Sequence, residues 1–142
     1  MFKNVYHLYM GDKLNKHEFG MQGEDIACRF IESHGGRILE RNFRFKGGEI
    51  DVIYKDGNYI VFGEIKYRSS STFGMAEEAV GYRKQRTISR GCDFYVLQKN
   101  LDQFTPIRFD VIALNIDEGQ NRVKVHYIKN AFDYIPNSKK RF

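Results

Sequence analysis

Two neighbouring segments of the chain carry acidic and basic side chains at spacings that could hold a divalent metal ion. Glu49–Tyr54 and Tyr59–Tyr67 both have the alternating, β-branched and aromatic composition of strands, and Asp56-Gly57 between them is a strong hairpin signal. Side chains alternate between the two faces of a sheet. The hairpin therefore places four charged groups on one face, namely Glu49, Asp51, Glu64 and Lys66.

The turn also sets which residues face each other. If Asp56 and Gly57 form the two-residue loop, Asp51 faces Phe62 and Glu49 faces Glu64. Carboxylates that lie opposite or diagonal on one face are roughly 4.5–8 Å apart and repel. A hard cation such as Mg²⁺ removes this repulsion, and a nearby lysine can orient a water or neutralise charge that develops on a phosphate. The pattern indicates metal-dependent phosphodiester chemistry.

An ordinary half-solvated hairpin is the alternative interpretation, because its polar residues also alternate outward and form weak ion pairs. The charged face, however, also carries the apolar side chains Ile53, Ile60 and Phe62. The other face is predicted to carry Ile50, Val52, Val61 and Ile65. Both faces should therefore be covered, and charges at one end of a covered face favour a cleft.

A third carboxylate comes from a helix predicted over about His17–Gly35, where apolar residues recur at helical spacing and paired glycines act as a stop. Gly20 and Gly23 fall on its apolar stripe, which predicts a close approach to the sheet or a loose first turn. Glu24 lies roughly 70° from the centre of the stripe, facing the sheet edge. It is a candidate metal ligand, and a helix-flank glutamate without a role is the alternative.

Several short motifs, taken in order, resemble those of one family. They are Gly20-x-x-Gly23-Glu24-x-x-Ala27, Arg41-Asn42-Phe43-Arg44, Gly48-Glu49-Ile50-Asp51, Val61-Phe62-Gly63-Glu64-Ile65-Lys66-Tyr67-Arg68, Phe73-Gly74, Glu78-Ala79-Val80 with Lys84, and Arg108-Phe109-Asp110-Val111. Over roughly 18–125 the chain resembles the YraN-like family, small bacterial proteins whose assignment as endonucleases rests largely on fold. That family is similar to archaeal Holliday-junction resolvases and to the PD-(D/E)XK restriction-endonuclease superfamily.

The resemblance implies roles for individual residues. Asp51 matches the metal-binding aspartate of the superfamily, and Glu64 and Lys66 match the glutamate and the lysine of its E-x-K element. Glu24 matches the first-helix glutamate, and the main-chain carbonyl of Ile65 is implied as a further ligand. In this interpretation Lys66 positions the attacking water.

Glu49 and Gly63 are two further positions of the hairpin that bear on the predicted site. Glu49 is predicted to support the metal ligands without binding the ion itself. Gly63 departs from the family pattern, which usually has a valine before the glutamate, and a glycine weakens a strand.

Basic residues cluster around the acidic strands. The candidates for nucleic-acid contacts are Arg41, Arg44, Arg68, Arg83 and Lys84. A formal net charge of +5 and a pI near 9.2 favour a polyanionic partner. Solvated charge on a soluble helix is the alternative for any single arginine, and Lys84 is predicted to contact phosphate.

The chain length predicts one cytoplasmic domain over 17–135, with an N-terminal extension over 1–16 and a basic tail over 136–142. Neither a secretory signal nor a membrane span is expected. Cys28 and Cys92 are predicted to be buried free thiols, which suits a reducing compartment. The four histidines lack the spacing of zinc ligands.

A second helix is predicted over about Met75–Leu97, followed by strands at Ile107–Leu114 and Val123–Ile128. The order is helix, two or three strands, helix, two strands, and the long helix between strands allows a parallel crossover. The predicted fold class is α/β, a restriction-endonuclease-like three-layer core with a central mixed sheet flanked by helices.

The leading functional prediction is a Mg²⁺- or Mn²⁺-dependent endonuclease that hydrolyses DNA phosphodiester bonds. The alternatives are a non-catalytic module that binds DNA or RNA on the same scaffold, and a structural partner of another protein. The sequence leaves the preferred nucleic-acid structure and the oligomeric state open, although a homodimer would suit a junction substrate.

Overall fold

A computed structural model describes the backbone of residues 3–9, 16–69, 80–117 and 122–138, and the side chains of 23–67, 80–115 and 123–138. Its elements are β1 (Lys3–Tyr9), α1 (Lys16–Ser33), β2 (Arg37–Phe45), β3 (Gly48–Asp56), β4 (Tyr59–Ser69), α2 (Tyr82–Gln98), β5 (Ile107–Asp117) and β6 (Arg122–Ile128). The strands form one sheet in the order β1-β6-β5-β4-β3-β2. The β4–β5 pair is parallel and the other neighbouring pairs are antiparallel.

Each helix belongs to the hydrophobic cluster on one face of this sheet. On the α1 side, Phe30 is buried with Leu114, and on the α2 side, Ile88 is buried with Phe62. Burying both faces stabilises the fold by roughly 25 cal/mol per Å² of apolar surface removed from water. The mixed sheet between two helices confirms the predicted α/β fold and is compatible with a restriction-endonuclease-like core.

The helix ends follow local sequence rules. At the end of α1, Gly35 has a φ of 89°, and the N–H of Gly36 donates to the carbonyl of Ile31, which is the pattern of a Schellman cap. The prediction of α2 from Met75 was wrong at residues 80 and 81, which are not helical. Gly81 is the N-cap, and residues 75–79 lie outside the described part of the chain. No helix among the described residues is long and apolar enough to cross a membrane.

Both ends of the predicted domain carry additional structure. The segment we treated as an N-terminal extension contributes the edge strand β1, which pairs antiparallel with β6. After β6, the main-chain N–H of Ile135 donates to the hydroxyl of Ser89 at 3.0 Å, which fixes the residues after the sheet against α2. The predicted basic tail is described up to residue 138.

The parallel crossover and the free thiols agree with the sequence. Helix α2 lies between β4 and β5 in the chain, and these two strands pair in parallel with Glu64 beside Val111. Cys28 and Cys92 are both buried and free.

The register of the β3–β4 hairpin differs from the prediction by two residues. Asp56 pairs with Tyr59, so the loop consists of Gly57 and Asn58, and Gly57 takes the positive φ of 61° that such turns require. If this register is continued along the strands away from the turn, Asp51 lies opposite Glu64 instead of Phe62. A shift of two residues does not by itself move a side chain to the other face, since the side-chain period of a strand is two.

A buried polar network joins the strands at the hairpin end of the sheet. Asp110 is fully buried and accepts hydrogen bonds from the hydroxyls of Tyr54 and Tyr127. Arg108 donates to both carboxylate oxygens of Asp110 and to Asp56. Because these ionised groups are paired and hydrogen-bonded, their burial is tolerated, and β3, β5 and β6 are held together.

The packing around Gly63 explains why this position lacks a side chain. A Cβ there would lie 2.8 Å from Cγ1 of Val52 and 3.2 Å from both Cδ1 of Ile112 and Cε1 of Tyr54. We expect Gly63→Ala to lower the free energy of unfolding by about 1–3 kcal/mol through overpacking, as measured by urea denaturation. Adding Val52→Ala should recover part of the loss that Gly63→Ala causes. Equal stability of Gly63→Ala and the native protein would contradict this account.

Candidate metal-binding site

The candidate site lies where β3 and β4 separate. Their pairing ends at Val52↔Gly63, and a regular ladder would continue with Asp51 opposite Glu64 and then Ile50 opposite Ile65. The main-chain N–H of Ile65 instead donates to Oδ2 of Asp51 at 2.8 Å. The Asp51 side chain thus replaces a main-chain partner at the point where the two strands diverge.

An irregular backbone position opposite Asp51 accompanies this separation. Asn42 lies across from Asp51 in the β2–β3 register and has a φ of 53°. Strict alternation would put Ile50 and Val52 on one face, but Val52 belongs to the α1 cluster and Ile50 to the α2 cluster. The predicted face of Ile50 was therefore wrong, because the alternation of side chains is interrupted between Ile50 and Val52.

Glu64 is the buried member of the carboxylate pair, with 8% of its surface exposed. Burial, the negative charge of Asp51 and a hydrogen bond shared with Asp51 raise the pKa of Glu64 to about 7, while the charges of Lys84 and Lys66 oppose the rise. A carboxyl group in this setting takes up either a proton or a cation readily. The direction of this shift agrees with the like-charge repulsion that we expect at this pair.

Two lysines from different elements approach the pair. Lys66 follows Glu64 by two residues on the same face of β4, and its charge acts on Glu64. Lys84, in the first turn of α2, places Nζ 3.6 Å from Oε2 of Glu64. The structure brings together the three residues that we predicted as the reactive centre, Asp51, Glu64 and Lys66, and it adds Lys84 beside them.

Glu24 lies to one side of this pair. Its Oε2 is 3.5 Å from Nδ2 of Asn42 and 3.6 Å from Nη2 of Arg41. Among the described side chains, no three His, Cys, Asp or Glu residues are grouped so as to hold one metal ion. Glu24 therefore does not complete a three-carboxylate site with Asp51 and Glu64.

Tyr67, for which no role was predicted, lies within electrostatic range of both Glu24 and Asp51. Burial and then the negative charges of Glu24 and Asp51 raise the pKa of its hydroxyl to about 12. Its ring fills the space above Gly23, where a Cβ would lie 2.3 Å from Cε1 of Tyr67. The expected close approach of α1 to the sheet is confirmed at Gly23, and that glycine was the signal that could have drawn attention to Tyr67.

The other residues that we predicted for nucleic-acid contact or for support of the site have individual partners or positions. Arg41 pairs with Asp25 at 2.9 Å, so α1 engages its guanidinium. Glu49 pairs with Arg44 at 3.6 Å. Arg83 is exposed in the first turn of α2, and the side chain of Arg68 lies outside the described residues.

The donor groups at the strand separation fit a hard divalent cation. Asp51 and Glu64 supply carboxylate oxygens, and the carbonyl of Ile65 points toward the same side as its N–H, because both groups of a strand residue face one neighbour. Mg²⁺ is usually held by one or two carboxylates and completed by water and substrate phosphates. The site therefore suits a Mg²⁺ or Mn²⁺ ion that is bound in part by its substrate.

Comparison with known proteins identifies the family. The model of the uncharacterised protein family UPF0102 matches residues 23–114, which span both helices' packing surfaces and all of the candidate site. A UPF0102 protein of Clostridium botulinum is 44% identical over 115 residues, which cover 81% of this chain and 94% of the relative. A UPF0102 protein of Caldicellulosiruptor saccharolyticus is 41% identical over 119 residues, covering 84% of this chain and 100% of the relative.

The fold and the site therefore define an α/β protein with a restriction-endonuclease-like core and a carboxylate pair at the divergence of two central strands. The chain belongs to the UPF0102 family, which corresponds to the YraN-like proteins that its motifs resemble.

Proposed function

We propose that this protein is a metal-dependent endonuclease that hydrolyses phosphodiester bonds of DNA. The observation that carries the proposal is the pair of half-buried Asp51 and buried Glu64, in which burial, the charge of Asp51 and a shared hydrogen bond raise the pKa of Glu64 to about 7 beside two lysines. Two neighbouring carboxylates are costly to keep ionised unless a cation binds them. Because lysines lie beside them, the site is suited to binding a metal ion and a phosphate at once.

Each residue has a separate task in this proposal. Asp51 and Glu64 hold Mg²⁺ or Mn²⁺ together with the carbonyl of Ile65, and the bound ion supplies polarisation of the phosphoryl oxygen and activation of water. Lys66 orients the attacking water and stabilises charge that develops on the phosphate. Lys84 contacts a phosphate oxygen when substrate is bound.

The α1 side of the site orients this centre. Asn42 and Arg41 hold the Glu24 carboxylate, and Tyr67 lies within electrostatic range of both Glu24 and Asp51. In this position Glu24 acts on the metal ion through a water molecule. Glu49 balances the charge of Arg44 at the margin of the site.

A cleavage screen tests the proposal. The purified protein is incubated with duplex, branched and single-stranded DNA, and with RNA, in Mg²⁺, Mn²⁺ or EDTA, beside an equally purified Glu64→Gln variant. We expect cleavage of at least one DNA substrate that requires the metal ion and is lost in the variant. Salt-dependent binding without cleavage of any substrate would instead identify a non-catalytic nucleic-acid-binding module.

A further inference from the structure

A groove on the α2 side of the molecule combines three parts of the chain. It encloses about 240 Å³ between the β2–β3 turn, the outer surface of α2 and the segment that follows β6. Its lining residues are Phe45, Lys46, Gly47, Arg83, Arg86, Thr87, Arg90, Ile135, Pro136, Asn137 and Ser138. None of these lining residues is acidic, whereas four of them are basic.

The walls of the groove are fixed by packing. Gly48 brings the start of β3 against α2, because a Cβ there would lie 2.6 Å from Cγ2 of Thr87. On the other wall, Arg90 donates to the carbonyl of Ile135 and pairs with Asp93 at 3.0 Å. Arg90 therefore anchors the wall, and the groove is present before any ligand binds.

The other three cations face solvent around this fixed groove. Arg83 and Arg86 are exposed on α2, and Lys46 is exposed on the β2–β3 turn. Arg83 and Arg86 are separated by about 4.5 Å of helix rise, and therefore lie on neighbouring turns of one face. Like charges at this spacing repel, and an extended anion lying between the two walls would relieve that repulsion.

The groove and the candidate metal site share the first turn of α2. Lys84 adjoins Arg83 in the chain and reaches Glu64, while Arg86 lies farther along α2. Because neighbouring residues of a helix point about 100° apart, Lys84 and Arg83 lie on different sides of this turn, and a phosphate chain that runs around the turn would contact both. Cations that contact phosphates fix position on a nucleic acid without reading its sequence.

We propose that this groove binds the phosphodiester backbone next to the bond that is cleaved, so that two walls of one molecule hold consecutive phosphates of one strand. The inference rests on the proposed function for the identity of the ligand. It adds a backbone-binding site formed by Lys46, Arg83 and Arg86, whose binding is independent of base sequence.

Binding measured without metal tests this inference separately from cleavage. Fluorescence anisotropy of a labelled DNA oligonucleotide is recorded in EDTA over a series of KCl concentrations for the native protein and for Arg86→Gln, Arg83→Gln and Lys46→Gln. Each single substitution should reduce the slope of log affinity against log salt by about 1. The double variant that combines Arg83→Gln and Arg86→Gln should reduce it by about 2. Lys55→Gln, which removes an exposed cation at the far end of β3, is the matched control and should leave the slope unchanged.

The outcomes separate the two proposals. If the groove variants and the Lys55→Gln control lower the slope equally, net charge accounts for binding and the groove is not a site. Unchanged slopes in Arg86→Gln and Lys46→Gln also overturn the inference, even when the native protein cleaves DNA. Reduced slopes in a protein that cleaves no substrate would support the groove and contradict the nuclease. Circular dichroism of each variant verifies that its fold is intact.

Discussion

Lys66→Ala and Glu64→Gln are each expected to lower metal-dependent cleavage of DNA at least about 100-fold. Lys66 lies on the face of β4 that carries Glu64, and removing its amine takes away the group that we propose to orient water at the reacting phosphate. Glu64→Gln keeps the size and the hydrogen-bonding capacity of the side chain but removes the charge that binds the metal ion. Initial rates at saturating DNA measure both losses.

Control substitutions decide whether these losses are local. Lys55→Ala removes an exposed lysine of β3 at the opposite end of the strand and should retain the native rate. Asp51→Asn should match Glu64→Gln, since an asparagine oxygen can still accept the hydrogen bond from Ile65 while the charge is lost. Cleavage by Glu64→Gln at the native rate would place the reactive centre elsewhere in the molecule.

In the absence of metal, Glu64→Gln should be more stable than the native protein by about 3 kcal/mol at pH 8. The folded-state pKa of Glu64 is raised from 4.5 to about 7, chiefly by burial. Below pH 4.5 the group is protonated in both the folded and the unfolded chain, and its stabilising contribution is fully present. The contribution is lost as the pH rises through about 7, because the folded protein must then hold an ionised Glu64.

Urea denaturation in EDTA at pH 8 and pH 4.5 measures this difference in the free energy of unfolding. The gap between Glu64→Gln and the native protein should be large at pH 8 and should close at pH 4.5. Glu32→Gln, at an exposed position of α1, is the control and should change stability by less than about 0.5 kcal/mol at either pH. A gap that is absent at pH 8 would show that Asp51 and Glu64 are not electrostatically strained.

Strand periodicity was sufficient to predict that Glu64 and Lys66 share one face of β4. The hairpin register was wrong by two residues, yet Glu64 and Lys66 kept their predicted face because an even shift preserves alternation. Asp51 came beside Glu64 for a different reason, since its carboxylate replaces a main-chain partner of Ile65. The α/β order and the parallel crossover were also predictable. The apolar residues of the helices recur at helical spacing, and those of the strands alternate with a period of two or form short apolar runs.

The details that the sequence did not predict depend on tertiary packing. Asn42, opposite the interrupted alternation at Asp51, adopts a left-handed conformation, which asparagine tolerates without requiring it. The position of Tyr67 depends on the missing side chain of Gly23 on another element. The pairing of β1 with β6 joins segments far apart in the chain, and no local pattern indicates such a contact.

Calorimetric titration with Mn²⁺ is the most direct test of the central claim that Asp51 and Glu64 together hold a metal ion. At pH 8 the native protein should bind Mn²⁺, and Asp51→Asn and Glu64→Gln should each lose that binding. At pH 5 the native affinity should fall by about 100-fold, since Glu64, with a pKa of about 7, must lose a proton before it can act as a ligand. Native binding that neither substitution weakens, or no binding by the native protein at pH 8, would contradict the account.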